Sequence, residues 1–181
     1  MASTTTTNDG NPWFALQLFG LKSAVMAEYF DRIGIAYFIP MQNVVYIDRQ
    51  GKRRHELRAV VSNLIFIKKD RDIKEINEQL LSFQGLYYIY RKQNATRDFY
   101  EIAAEEMQEF IIMCNPELTE KRYIDENEAR LKPGAKVLVH HGPLKGLTGR
   151  LVRQSGKYYL LKEVPGMAIM LKVTKWCCKE C

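Results

Sequence analysis

The sequence predicts an α+β protein in two domains, an antiparallel sheet with helices against its faces followed by a small β-barrel. Three observations carry that expectation. In the first two thirds of the chain, stretches with apolar residues at helical period alternate with short strand-like runs that lack the long crossovers of a parallel sheet. In the last third the pattern changes to period-2 segments separated by glycine-bearing turns. Between them, residues 117–130 are dense in charge, poor in large apolar side chains and without a clean period, as in a linker. The 181 residues are enough for a medium core and a small one. The expected divisions are a disordered tail over 1–11, a first domain over 12–115, a linker over 116–130 and a second domain over 131–181.

The first domain opens with a strand over 14–18 and a helix from Lys22, where Val25, Met26, Tyr29, Phe30 and Ile33 form one apolar stripe and Gly34 is the stop signal. Strands are expected over 36–39 and 44–48, then a basic turn, then a strand over 60–67. A second helix is expected over 72–81, with Ile73, Ile76, Leu80 and Leu81 inward and Lys74, Glu75, Glu78 and Gln79 outward. After a strand over 87–90, a third helix is expected over 98–113, with Ala103, Met107, Phe110, Ile111 and Cys114 on one face and Pro116 ending it. In the second domain, strands fall over 136–140, 147–154, 158–162 and 168–173. The first of these begins after the Pro133-Gly134 turn, with Val137 and Val139 alternating against Lys136, Leu138 and His140. Gly142, Gly146 and Gly149 then mark positions where side chains are excluded or φ is unusual.

Composition narrows the function classes. A hydrophobic fraction of 46% with 27% charged residues is ordinary for a soluble globular protein, and no apolar run approaches the roughly 20 residues of a membrane helix. The Thr-rich N-terminus has neither a basic segment nor an apolar one, which reads as a tail in a cytoplasmic protein. A formal net charge of +6 favours anionic partners. Cys114, Cys177, Cys178 and Cys181 are spaced badly for a disulfide framework, and a reducing compartment is the simpler expectation. Zinc would need Cys114, His140 or His141 to join the three terminal thiols, so no metal or cofactor is expected. No phosphate-binding glycine loop or zincin motif is present, and adjacent Glu105 and Glu106 diverge on a helix, so an enzyme is not expected.

Residues 132–150, KPGAKVLVHHGPLKGLTGR, resemble the KOW motif of NusG-family elongation factors and several ribosomal proteins. At the other end, Trp13, Phe14, Ala15, Leu16 and Gln17 open a strand before the helix over 22–33. Phe38, Ile39 and Pro40 follow, then Val44 to Ile47, a basic turn, and Ser62, Asn63, Leu64, Ile65, Phe66 and Ile67. This order resembles the NusG-like N-terminal domain, and the likeness covers nearly the whole chain after the first dozen residues. Asn63 stands where housekeeping members usually carry glycine. On that residue the chain looks closest to the specialised RfaH-like and UpxY-like antiterminators, which act on long polysaccharide or surface-structure operons. The implied architecture is a NusG-like domain joined by a linker to an SH3-like KOW barrel.

The resemblance also implies sites. A hydrophobic depression on the N-terminal sheet would grip a coiled coil of the RNA polymerase clamp, with Leu64 and Phe66 at its centre and Val61, Phe14 and Leu16 at its border. On alternation alone, Leu64 and Phe66 oppose Ile65 and Ile67, so either one pair meets helices and the other a partner, or both faces are core. The basic hairpin projects Arg49, Lys52, Arg53 and Arg54 with His55, suited either to phosphate contact with non-template DNA or nascent RNA or to plain solubility. Lys22 and Arg32 join it as nucleic-acid candidates, with Arg91 and Lys92 secondary. In the second domain, Pro143, Leu144, Lys145 and Gly146 form the tip where family members dock a ribosomal protein or termination factor, while Met167 and Met170 read as core. The function expected is a transcription antitermination and elongation factor that binds RNA polymerase and suppresses pausing and termination. The alternatives are a KOW-type RNA- or ribosome-binding protein and a housekeeping NusG-like factor.

Overall fold

The computed structural model describes residues 9–92 and 98–181. Most of the expected tail lies outside the described residues; of its last members, Asp9 forms an ion pair of 2.8 Å with the buried Lys68. The chain forms two compact units that part between Pro116 and Glu117. No helix among the described residues is long and apolar enough to cross a membrane.

The first unit runs β1 (Trp13–Phe19), α1 (Ser23–Ile33), β2 (Tyr37–Phe38), β3 (Met41–Ile47), β4 (Arg53–Ala59), β5 (Leu64–Lys68), α2 (Ile73–Leu81), β6 (Leu86–Ile89) and α3 (Ala104–Met113). Its main sheet is antiparallel in the order β2-β5-β1-β6, while β3 and β4 pair only with each other as a separate ribbon. Alternation sorts the main sheet into two faces. Phe14, Leu16 and Leu18 of β1, Ile65 and Ile67 of β5 and Ile89 of β6 share a buried cluster with Met26 and Phe30 of α1 and Ile76 and Leu80 of α2. α1 stops at Gly34, whose N–H bonds to the Phe30 carbonyl. α2 begins at Asp72, whose carboxylate accepts from the Lys74 N–H at 2.8 Å. On the other face, Phe66 of β5 and Phe38 of β2 pack against Phe110 of α3, with ring centroids 5.6 Å and 6.5 Å apart.

Two elements depart from expectation here. The basic turn is shorter than expected: it ends at Lys52, and the residues after it form β4, RRHELRA, which pairs with β3 from Met41↔Ala59 to Ile47↔Arg53. α3 starts at Ala104 rather than at 98, because the preceding backbone is used elsewhere. Trp13 and Ile102 exchange two N–H···O bonds of 2.8 Å, and the Tyr100 N–H bonds to the Tyr90 carbonyl.

The second unit runs β7 (Lys121–Ile124), α4 (Glu126–Arg130), β8 (Ala135–Val139), β9 (Thr148–Gln154), β10 (Lys157–Val164), β11 (Met167–Val173), a 3-10 turn (Lys175–Cys177) and β12 (Cys178–Glu180). These strands form one antiparallel sheet in the order β12-β8-β9-β10-β11-β7. β12 and β7 are its two ends and are not paired with each other, so the ladder is open where a closed barrel was expected. Ala129 of α4 packs with Val152, Tyr159, Leu161, Ala168 and Met170 in the core of this unit, with Ile124 at its edge. Gly149 is required by close approach, since a Cβ there would lie 2.7 Å from the Leu161 carbonyl oxygen.

The linker expected over 116–130 is corrected by β7 and α4. β7 pairs with β11 from Lys121↔Leu171 to Ile124↔Ala168. α4 is capped by Asp125, which accepts from the Asn127 N–H at 2.8 Å, and Glu126 ion-pairs with Arg130 while its other oxygen accepts from the Gly166 N–H at 2.7 Å. Its charges are consumed locally, and a helix with one buried alanine has no apolar stripe to display in sequence.

Candidate binding surfaces

The five residues expected at the polymerase-gripping depression do not form an open surface. Leu64, Phe66, Phe14 and Leu16 are all 1% exposed or less, and Val61 is half-buried in the connection between β4 and β5. Phe14 and Leu16 belong to the face under α1 and α2, whereas Leu64 and Phe66 lie on the face that α3 covers. Of the two readings that alternation allowed, both faces of β5 are core.

α3 nevertheless covers only part of its face. Its Phe110 lies over β5 and β2, and on the β1–β6 side apolar surface is left open: Phe19 is 51% exposed, Leu86 74% and Tyr88 43%. Phe19 and Leu86 are directly opposite in the ladder and Tyr88 is opposite Gln17, so the three share one face. The site is braced from beside: the Tyr90 hydroxyl donates to Gln17 Oε1 at 2.9 Å, and the Tyr88 and Tyr90 rings meet edge to face at 5.5 Å. Asn63 ties the adjoining strand end, its side-chain amide donating to the Leu18 carbonyl at 3.0 Å and its own carbonyl accepting from the Leu18 N–H at 2.8 Å. Sequence reasoning missed this patch although β6 was expected, because the face of Leu86 and Tyr88 is readable only once their register against Phe19 is known.

The ribbon of β3 and β4 carries the basic candidates. Its turn is built on Asp48, whose Oδ1 accepts from the Gln50 and Lys52 N–H groups at 2.9 Å each and whose Oδ2 accepts from Arg54 Nε at 2.9 Å. The Arg54 hydrogen bond, followed by the backbone donors, holds the Asp48 carboxyl below the usual carboxylate range. Arg54 is thus engaged, and Arg58 is paired with Glu56 at 2.7 Å and lies over the Tyr46 ring. Arg49, Lys52 and Arg53 are exposed, and among the described residues none of them makes an ion pair. Register places Val45, Ile47, Leu57, His55 and Arg53 on one face of the ribbon, a mixed apolar and cationic strip. Lys22 and Arg32, both exposed, sit at opposite ends of α1, about 15 Å apart at 1.5 Å per residue, so they do not form one site. Arg91 stacks its guanidinium on the Phe99 ring, and the Lys92 N–H bonds to the Asp98 carbonyl.

In the second unit, the tip between β8 and β9 is a backbone-bonded turn. The Lys145 N–H bonds to the Gly142 carbonyl, Gly146 to Val139 and Leu147 to Leu144, with Gly142 and Gly146 at φ of 86° and 96°. Pro143 and Lys145 are exposed and Leu144 is half-buried. Met167 and Met170 are fully buried. All four cysteines are free, and among the described residues no three His, Cys, Asp or Glu side chains are grouped to hold a metal ion.

A family model described as transcription termination factor nusG matches residues 11–111, more than half of the chain and nearly all of the first unit. No curated protein matches the chain.

Proposed function

The chain belongs to the NusG family of transcription factors, whose members bind RNA polymerase, and from that membership we propose that it is an elongation and antitermination factor. The observation that carries the site is the half-covered sheet of the first unit, where Phe19, Leu86 and Tyr88 present apolar area that α3 leaves open. Such a patch suits a coiled coil of the polymerase clamp, because apolar area of this kind supplies affinity without reading sequence. Leu64 and Phe66 lie beside it on the same face, in the part that α3 covers, and so add stability to the sheet and no contact to the partner.

Antitermination on this reading needs no chemistry from the protein. A factor that binds the elongating state about 1.4 kcal/mol more tightly than the paused state shifts their ratio about tenfold. Arg49, Lys52 and Arg53 on the ribbon would add phosphate contacts to DNA or nascent RNA, contributing position and salt sensitivity. The second unit is read as a KOW domain on its glycine-punctuated sequence over residues 132–150, with Pro143, Leu144, Lys145 and Gly146 as the tip offered to a ribosomal protein or termination factor. Asn63 supports a specialised member acting on particular long operons, and a cytoplasmic location follows from the partner.

The test is capture of core RNA polymerase by the full chain at low and high salt. Wild-type protein is expected to bind in a salt-resistant way, and Leu86→Asp and Tyr88→Asp to abolish capture while remaining folded. Leu81→Asp, at the exposed end of α2, should bind as wild type. Normal binding by both patch variants would sink the proposed surface.

A further inference from the structure

The second unit carries a row of aromatic rings and cations that neither the family match nor the tip over residues 143–146 accounts for. Trp176 is 69% exposed on the 3-10 turn between β11 and β12, an unusual position for an indole. Its ring lies 6.0 Å from the exposed His141 ring at an angle of 35°, and His141 lies 4.3 Å from His140. In the other direction, Lys175 precedes Trp176 in the turn and places its ammonium 5.8 Å from the Tyr158 ring, which Arg153 also approaches at 5.7 Å. His140, His141, Trp176, Lys175, Tyr158 and Arg153 therefore follow one another along the unit.

The charge beside these rings has one sign. Arg153 and Lys175 are exposed, and among the described residues neither makes an ion pair. Lys136 and Lys179 are exposed as well, but register puts them with Leu138 and Arg150 on the other side of the ladder from Arg153 and Tyr158, so they lie outside the row. Unneutralised cations alternating with accessible aromatic faces match a polyanion whose spacer groups are themselves flat rings. Phosphates meet the cations, and unpaired bases stack on Trp176 and its neighbours. A peptide ligand for an exposed indole would not call for this charge.

We infer that this row is a binding platform for single-stranded nucleic acid, with Trp176 as the stacking residue and Lys175 and Arg153 as phosphate contacts. The platform would be sequence-tolerant, since every base offers a π-face, and its affinity would fall with salt. It requires unpaired bases, because in a duplex their faces are already stacked on one another.

The experiment uses the full chain with Trp13→Phe, which leaves Trp176 as the sole tryptophan. A ten-nucleotide single-stranded RNA of mixed sequence, the DNA of the same sequence and an abasic strand of equal phosphate count are each titrated while tryptophan emission is followed. At least one base-bearing strand is expected to bind fivefold or more tightly than the abasic strand and to quench emission, and the RNA-to-DNA ratio identifies which polymer is preferred. Followed instead by the anisotropy of a fluorescently labelled strand, since no tryptophan then remains, Trp176→Ala should remove the difference between base-bearing and abasic strands while leaving abasic affinity unchanged, and Trp176→Phe should restore part of it. Lys175→Gln should weaken all strands alike. Unchanged thermal unfolding of these exposed-site variants checks that the fold is intact. Equal affinity for base-bearing and abasic strands, or quenching by a proline-rich peptide alone, would overturn the proposal. No polymerase is present, so the result is independent of the apolar patch on the first unit, and any phosphate contact by the ribbon of β3 and β4 is common to base-bearing and abasic strands.

Discussion

Strands β4 and β5 lie in the same unit and both sit in antiparallel ladders, yet all five residues of β5 are buried while six of the seven in β4 are exposed. Backbone pairing is common to both, so it cannot be what distinguishes them. The difference is in what covers the side chains: β5 is central to a sheet with α1 and α2 on one face and α3 on the other, whereas β4 pairs with β3 alone. A strand buried on both faces can contribute stability but no contact to a partner. A ribbon exposed on both faces can contribute contacts but little to the core. The surfaces suited to recognition lie between these limits, where cover is partial, as on the β1–β6 side.

The contrast breaks most visibly at Phe66. Its ring is fully buried against Phe110 and Phe38, so Phe66→Ala should cost about 3–5 kcal/mol from lost transfer energy and the cavity left behind. Chemical denaturation measures it directly. Loss of polymerase binding in that variant would report unfolding; a change within about 0.5 kcal/mol would mean that the face is open after all. Next in size is the patch: Leu86→Asp should abolish polymerase capture while shifting unfolding free energy by less than about 1 kcal/mol, because Leu86 is already 74% in solvent. Stability and binding would thereby separate along one sheet.

This gradient of cover also explains what could be read from the sequence. α1 and α2 were legible because each buries one stripe, and a one-sided element prints its period: Met26 and Phe30, Ile76 and Leu80, although Val25 and Leu81, expected on those stripes, are 45% and 78% exposed. β5 was legible as a strand but not in its facing, since Leu64 to Ile67 is an unbroken apolar run and alternation cannot say whether α3 closes the second face. β4 and α4 were illegible for the opposite reason. RRHELRA has no apolar alternation because nothing covers it, and in α4 the charges satisfy one another through pairs such as Lys132 with Glu128 at 3.0 Å. Of the candidate site, the cations of the ribbon were found because charge needs no register to be recognised. Phe19, Leu86 and Tyr88 were missed because their convergence depends on the pairing of β1 with β6.

The ribbon sharpens the comparison at smaller scale. Lys52→Gln and Arg53→Gln should each leave stability within about 0.5 kcal/mol, since both side chains are exposed, and each should lower the salt slope of nucleic-acid binding by about one. Salt titrations of binding, run beside denaturation curves, would show the two readouts moving separately. Unchanged slopes in both variants would leave the ribbon as a solvated loop.

The smallest effect is expected at Asp48, where one carboxylate both builds the turn and occupies Arg54. Its pKa in the fold lies below the ordinary 3.8, chiefly through the Arg54 hydrogen bond. A carboxyl depressed in the folded state contributes its stabilisation above the unfolded value, and that contribution is lost as pH falls through the folded one. The Gln50 and Lys52 amides, which donate to Asp48 Oδ1, should therefore lose exchange protection only as pH falls below 3.8 and through the lower folded value, while amides of β5 keep theirs. Asp48→Asn separates the two duties of the side chain. Its carbonyl still accepts from both amides, so the turn should persist, but the charge that holds Arg54 is gone. Arg54 then joins Arg49, Lys52 and Arg53 as an unneutralised cation, and the salt slope of nucleic-acid binding should steepen by about one. A slope that stays flat while the turn remains intact would mean that the ribbon's cations do not meet phosphate, and that exposure on both faces serves solubility alone.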